Sequence, residues 1–128
     1  MMRKIVLSLL LTAAFTCAAQ AQVMKKTSDG TYIVNTTTLA QDVEGYNGPT
    51  PVEIHIQKNK IVKVVLLKSQ ETPKYNARIK KQLLPQYENQ KINKKQSPEV
   101  DGLTGATFTS DAIKENVRRG VAYYLKNK

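Results

Sequence analysis

The stretch of this chain with the most chemical potential is Asp101-Gly102-Leu103-Thr104-Gly105-Ala106-Thr107-Phe108-Thr109-Ser110. It is a glycine-containing turn that feeds an amphipathic run. A helix start presents unpaired N–H groups and partial positive charge, a combination that attracts phosphate. Gly102 and Gly105 let the backbone approach a ligand closely. Thr104, Thr107, Thr109 and Ser110 add hydroxyl groups. Ordinary helix capping uses the same residue types. On the residues alone, phosphate binding and plain capping both stay open. Neither of the common glycine-rich nucleotide loops has this spacing.

Asp101 to Thr107 resembles the flavinylation motif of the FMN-binding domain family, and it matches all the fixed positions of that motif. The family includes a peripheral subunit of the sodium-pumping quinone reductase and relatives in ferredoxin-linked complexes. Two further blocks carry the resemblance. Gly45-Tyr46-Asn47-Gly48-Pro49 followed by Val52-Glu53-Ile54-His55-Ile56 is similar to the family's entry hairpin. Glu71-Thr72-Pro73 is similar to the segment that lies beside the isoalloxazine ring. Together they span roughly residues 29 to 125.

The resemblance implies an electron carrier rather than an enzyme with its own substrate. A separate Mg-dependent flavin transferase would use FAD as donor and join FMN to the Thr107 hydroxyl by a phosphoester bond. Asp101 is implied in that transfer. Gly105 and Ala106 would leave the transferase room to reach the hydroxyl. Thr104 and the amides near Thr109 and Ser110 would hold phosphate oxygens. Glu71 would touch the flavin's polar edge or cap the helix that follows, with Thr72 beside it. Tyr46 would pack on the flavin or on the sheet. The redox-complex relatives have glycine after Glu-Thr-Pro, where this chain has Lys74, a departure that bears on the ring side more than on the attachment. The alternatives are a module that holds FMN without a covalent bond, and a cofactor-free structural protein of the cell envelope.

The elements that position these residues follow from hydrophobic spacing. Thr31 to Leu39 is rich in β-branched residues and predicts a strand. Residues 44–49 form a turn cluster. Pro51 to Lys58 alternates strictly, with Val52, Ile54 and Ile56 on one face, and predicts a half-buried strand. A tight turn at Asn59-Lys60 leads to Ile61–Leu67, completing a hairpin. That second strand is apolar on both faces, which predicts a central position. Tyr75, Ile79 and Leu83 recur every four residues and predict a helix over 74–84, ended or restarted by Pro85. Residues 86–95 read as a short helix and a loop, and 96–98 as a connector. The last helix is expected to begin near Ser110 as N-cap, with Ile113, Val117, Val121 and Tyr124 in one stripe. The expected architecture is α+β: one small domain with a twisted antiparallel sheet and helices packed on it.

The 128 residues suffice for one such domain. The chain opens with Arg3 and Lys4, an apolar run from Ile5 to Phe15, and Ala19-Gln20-Ala21, the order of a secretory signal peptide. The run is about eleven residues long, whereas a spanning helix needs about twenty. This predicts a leader over 1–21, a flexible lead-in over 22–28 and the domain over 29–128, in an exported, periplasmic or extracellular protein. Cys17 is the single cysteine and falls inside the leader, so the exported part has no thiol. Lipidation at Cys17 is the minor alternative, since the residues before it fit a lipoprotein pattern poorly. The net charge is +10, and about +8 once the leader is removed, because every acidic residue lies beyond it. Export and the lack of interleaved aromatics argue against nucleic acid. Redox proteins of the membrane or envelope are the expected partners. His55, the sole histidine, lies on the polar face of its strand and lacks companions for a metal site.

Overall fold

The computed structural model describes residues 22–128. The expectations for the leader and for Cys17 lie outside the described residues. Strands occupy the first part of the described chain: β1 (Met24–Lys26), β2 (Tyr32–Asn35), β3 (Glu44–Gly45), β4 (Gly48–Pro49), β5 (Val52–Gln57) and β6 (Lys60–Leu66). Helices follow: α1 (Pro73–Arg78), which runs on through a π turn over 79–83 and a 3-10 turn over 84–87, and α2 (Thr107–Asn127). The main sheet has the order β1-β2-β5-β6 with every neighbouring pair antiparallel, and β3–β4 is a separate short hairpin. The class is α+β, as the hydrophobic spacing predicts.

The alternation of β5 translates directly into burial. Val52, Ile54 and Ile56 are fully buried, while Glu53, His55 and Gln57 face outward. Lys58 and Asn59, at φ 53° and 59°, form the two-residue turn to β6, one position earlier than expected. Two positive φ values suit the turn whose twist matches a β-hairpin.

Four expectations need correction. Residues 22–28 are not a free lead-in, because Met24–Lys26 pairs with β2 in register Met24 to Val34. The strand from Thr31 stops at Asn35. The Asn35 Oδ1 atom accepts from Thr37 N–H at 2.9 Å, a local turn that competes with the ladder. β6 is an edge strand, with Val62 43% exposed and Val65 also exposed. Its two-faced apolar pattern reflects a β-bulge. Ile56 pairs with Ile61 but Ile54 with Val64, so the extra residue shifts the inward phase within the strand. Ser110 does not cap α2. The helix begins at Thr107, with Ala106 at the N-cap, and Ser110 sits buried in its first turn.

In α1, Thr72 Oγ1 accepts from Tyr75 N–H at 3.4 Å and caps the helix. Pro85, which has no N–H to continue an α ladder, lies in the 3-10 turn. The change of helical pitch leaves Ile79, Leu83, Leu84 and Tyr87 all buried. α2 lays Ile113, Val117, Val121 and Tyr124 into the core, as expected. A buried polar knot fixes it to the sheet. Thr36 Oγ1 accepts from Val52 N–H at 2.9 Å and donates to Asn116 Oδ1 at 2.6 Å. At the far end, Tyr124 donates to Asn59 Oδ1 at 2.7 Å and meets Tyr32 edge-on. No helix among the described residues is long and apolar enough to cross a membrane.

Candidate functional site

Two glutamine side chains place the loop that leads into α2. Gln86 exchanges two hydrogen bonds with the backbone of Asp101, at 2.8 and 3.0 Å. Gln90 does the same with Glu99, at 3.2 and 2.8 Å. Each amide imitates one rung of a β-ladder. The chain then passes through Leu103, whose N–H donates to the buried Ser110 Oγ at 3.1 Å. Ser110 thus ties the loop to the helix from within. Gly105 follows at φ +80°, where a side chain would be strained, and the helix starts two residues later.

This start is poor in hydrogen-bond partners on its open side. Ala106 N–H donates to Leu103 C=O at 3.1 Å, and Ser110 N–H to Ala106 C=O at 2.9 Å. The intervening N–H groups of Thr107, Phe108 and Thr109 have no backbone acceptor among the described residues. They belong to the wall of a cavity of about 330 Å³ lined by Tyr46, Tyr75, Gly105, Ala106, Thr107, Phe108 and Thr109. Thr107 is exposed, and Phe108 and Tyr46 are 73% and 69% exposed. Large exposed aromatics flanking a hollow are the exception on a protein surface and mark a place for a partner or ligand.

A buried carboxylate holds the two sides of the hollow together. Glu71 Oε1 accepts from Thr109 Oγ1 at 2.9 Å and from Asn47 N–H at 3.2 Å; Glu71 Oε2 accepts from Asn47 Nδ2 at 3.5 Å. Tyr46 N–H donates to Thr109 Oγ1 at 3.3 Å. The β3–β4 hairpin, with Tyr46 at its tip, is therefore pinned to the first turn of α2. Gly45 permits this approach. A Cβ there would stand 2.6 Å from Glu71 Oε1 and 3.2 Å from Thr109 Cα.

Of the residues singled out from the sequence, Thr107, Gly105, Ala106, Thr109 and Tyr46 come together on the cavity wall. Thr104 is exposed beside them, and its carbonyl accepts from Arg78 Nη2 at 2.8 Å. Ser110 is buried and its N–H is used within the helix, so the free amides are at Thr107, Phe108 and Thr109 instead. Asp101 is exposed and held by its backbone, outside the lining. Glu71 lies behind the wall, and the cap of α1 is Thr72. His55 faces Glu53 at 3.1 Å on the outer side of the sheet. Sequence reasoning missed Tyr75 and Phe108 on the cavity wall, and the bond of Arg78 to the turn beside it. Tyr75 shares its spacing with true core positions. Phe108 carried a signal, as a large apolar residue off the buried stripe of α2. Arg78 carried none, since its partner is 26 residues away.

No curated protein matches this chain, and no solved structure matches it either. A family model does match, that of the FMN-binding domain, over residues 45–122. The matched segment contains every residue that lines the cavity, as well as Glu71, Arg78 and the loop before α2. It also covers more than half of the sequence, and on that ground the chain belongs to the FMN-binding domain family.

Proposed function

We propose that this FMN-binding protein is an exported electron carrier whose FMN is attached to Thr107 through a phosphoester. The observation that carries the reading is the position of Thr107. Its residue is exposed on the cavity wall, in the first turn of a 21-residue helix, beside free N–H groups. Its neighbours Ala106 and Thr109 are buried, so the backbone that presents it is anchored.

The residues present fit FMN. Tyr46, Tyr75 and Phe108 supply apolar and aromatic surface for a flat ring system. The amides of Thr107, Phe108 and Thr109 and the positive end of the helix suit a phosphate group. FMN, when bound, supplies the redox chemistry. The chain would hold it among the hairpin tip at Tyr46, α1 at Tyr75 and the start of α2, the elements that line the cavity.

Attachment needs a transferase with FAD as co-substrate. The Thr107 oxygen bonds to the riboflavin-side phosphorus, the pyrophosphate link breaks, AMP leaves, and the hydroxyl proton passes to a base of the transferase. Export rests on residues 1–21 alone, whose order is that of a cleaved leader. Redox proteins of the membrane or envelope are the partners this assigns.

Co-expression with a flavin transferase, followed by denaturing electrophoresis and intact mass, tests the reading. The expected result is flavin fluorescence that stays with the denatured chain and a mass gain of one FMN less one water. Thr107→Val abolishes both. Fluorescence that persists in Thr107→Val places the acceptor elsewhere. Yellow native protein that loses all flavin on denaturation, even with the transferase, supports reversible binding instead. The same mass reports whether the leader is removed.

A further inference from the structure

The structure describes three arginines, and two are neutralised. Arg118 pairs with Glu115, and Arg119 with both Asp42 and Glu115. Arg78 pairs with no carboxylate among the described residues. It ends α1, where one guanidinium nitrogen, Nη2, holds the Thr104 carbonyl at 2.8 Å. The other, Nη1, stands 3.9 Å from the place a Cβ on Gly105 would take. Gly105 lines the cavity two residues before Thr107. The guanidinium therefore lies against the same turn that presents the free amides of the α2 start.

We propose that Arg78 is the charged group that recognises the phosphate of FMN at this site. This rests on the FMN reading of the cavity and deepens it, since it assigns selectivity for a phosphorylated flavin to one side chain. A guanidinium has five donors in a planar fork, and a single bond to a carbonyl leaves most of them unused. A phosphate beside the α2 start would meet neutral amides and a helix dipole, which together carry only part of a charge. Arg78 supplies a full one, from a different element. Asp101 and Asp111 are exposed and make no ion pair with it among the described residues, and the third acid of this region, Glu71, is buried behind the wall and held by Thr109 and Asn47. Lys74 lies one turn earlier on α1, exposed, and adds a weaker, solvated charge of the same sign.

The competing role for Arg78 is purely structural, as a clamp on the loop at Thr104. The two roles separate when FMN is compared with riboflavin, which lacks the phosphate. The full chain carrying Thr107→Val makes all binding reversible, and affinities for both flavins follow from fluorescence titration. The expected result is a preference for FMN that Arg78→Gln reduces about tenfold, the size of a charge-assisted hydrogen bond, with riboflavin affinity unchanged. Arg78→Lys retains part of the preference, and added salt weakens FMN binding more in the parent and Arg78→Lys chains than in Arg78→Gln, where only the solvated Lys74 charge remains. An FMN preference that survives Arg78→Gln overturns the proposal and leaves the FMN site intact. Equal losses for both flavins overturn it in favour of the structural clamp. If neither flavin binds the Thr107→Val chain, the reading of the cavity itself fails, and the assignment of Arg78 falls with it.

Discussion

A buried carboxylate without a cation must be held by neutral donors, and Glu71 has three of them: a hydroxyl, a backbone amide and a side-chain amide. Glu71→Ala removes the acceptor, strands the buried Thr109 Oγ1 beside a void and releases the Asn47 N–H of the exposed hairpin tip. Unsatisfied buried donors cost about 1–3 kcal/mol. Urea unfolding is expected to show that loss, and the hairpin bearing Tyr46 to become the most readily exchanging part of the site by hydrogen exchange. Gly45→Ala attacks the same joint from the other side, because the new Cβ would meet Glu71 Oε1 and the Thr109 backbone. Overpacking of this kind costs about 1–3 kcal/mol. Unchanged stability in both variants would show that the joint does not hold the hairpin. The run Asp101–Ser110 was legible as a loop and helix start because its chemistry is local. The bond between Thr109 and Glu71 was not legible, since it spans 38 residues and neither residue carries a local sign of the other.

At the scale of elements, period-two and near-four spacing identified β5, α1 and α2, because burial enforces those periods. Misread were the places where local hydrogen bonding or a bulge overrides the period: the end of β2 at Asn35, the phase shift in β6, and the onset of α2. Gln86 and Gln90 were equally hidden, as polar residues in a lysine-rich stretch whose side chains pair with backbone. The packing of α2 on the sheet turns on Gly120. A Cβ there would collide with Ile54 Cδ1 and stand 3.0 Å from Thr36 Cγ2. In an exposed helix interior, glycine to alanine gains about 1 kcal/mol. At this contact the sign reverses. Ile54 can swing its terminal methyl only within a filled core, and Thr36 is fixed by its bonds to Val52 and Asn116. Gly120→Ala is expected to destabilise the protein by about 1–3 kcal/mol in urea unfolding. A stabilised variant would mean that the helix rides further from the sheet than the structure places it.

For the molecule as a whole, α2 is anchored at its start and at its middle with different chemistry. Its start is joined to the cavity through Thr109 and Glu71. Further along, Arg119 bonds the Leu39 carbonyl and Asp42 in the loop after β2, and shares Glu115 with Arg118. The guanidinium groups of Arg118, foremost, and Arg119 hold the Glu115 carboxyl at about 2, below its ordinary 4.5, against a partial opposing effect of burial. Arg119 lowers Asp42 as well. A carboxyl bound more weakly to its proton in the folded state stabilises that state fully above the unfolded value of 4.5. The contribution fades as pH falls from there toward about 2 and is gone below it. Glu115 and Arg119 are half-buried and Arg118 is exposed, so solvent still screens the cluster and for Glu115 the contribution amounts to at most about 1 kcal/mol. Glu115→Gln should therefore be less stable than the parent chain at pH 7 and pH 5, with the difference narrowing by pH 3. Urea midpoints at the three values measure it. A difference that stays constant down to pH 3 would mean that Glu115 acts through packing and not through charge. Because this anchor lies away from the cavity lining, FMN retention per folded molecule should be the same in both chains at pH 7. That outcome separates a loss of global stability from damage to the site.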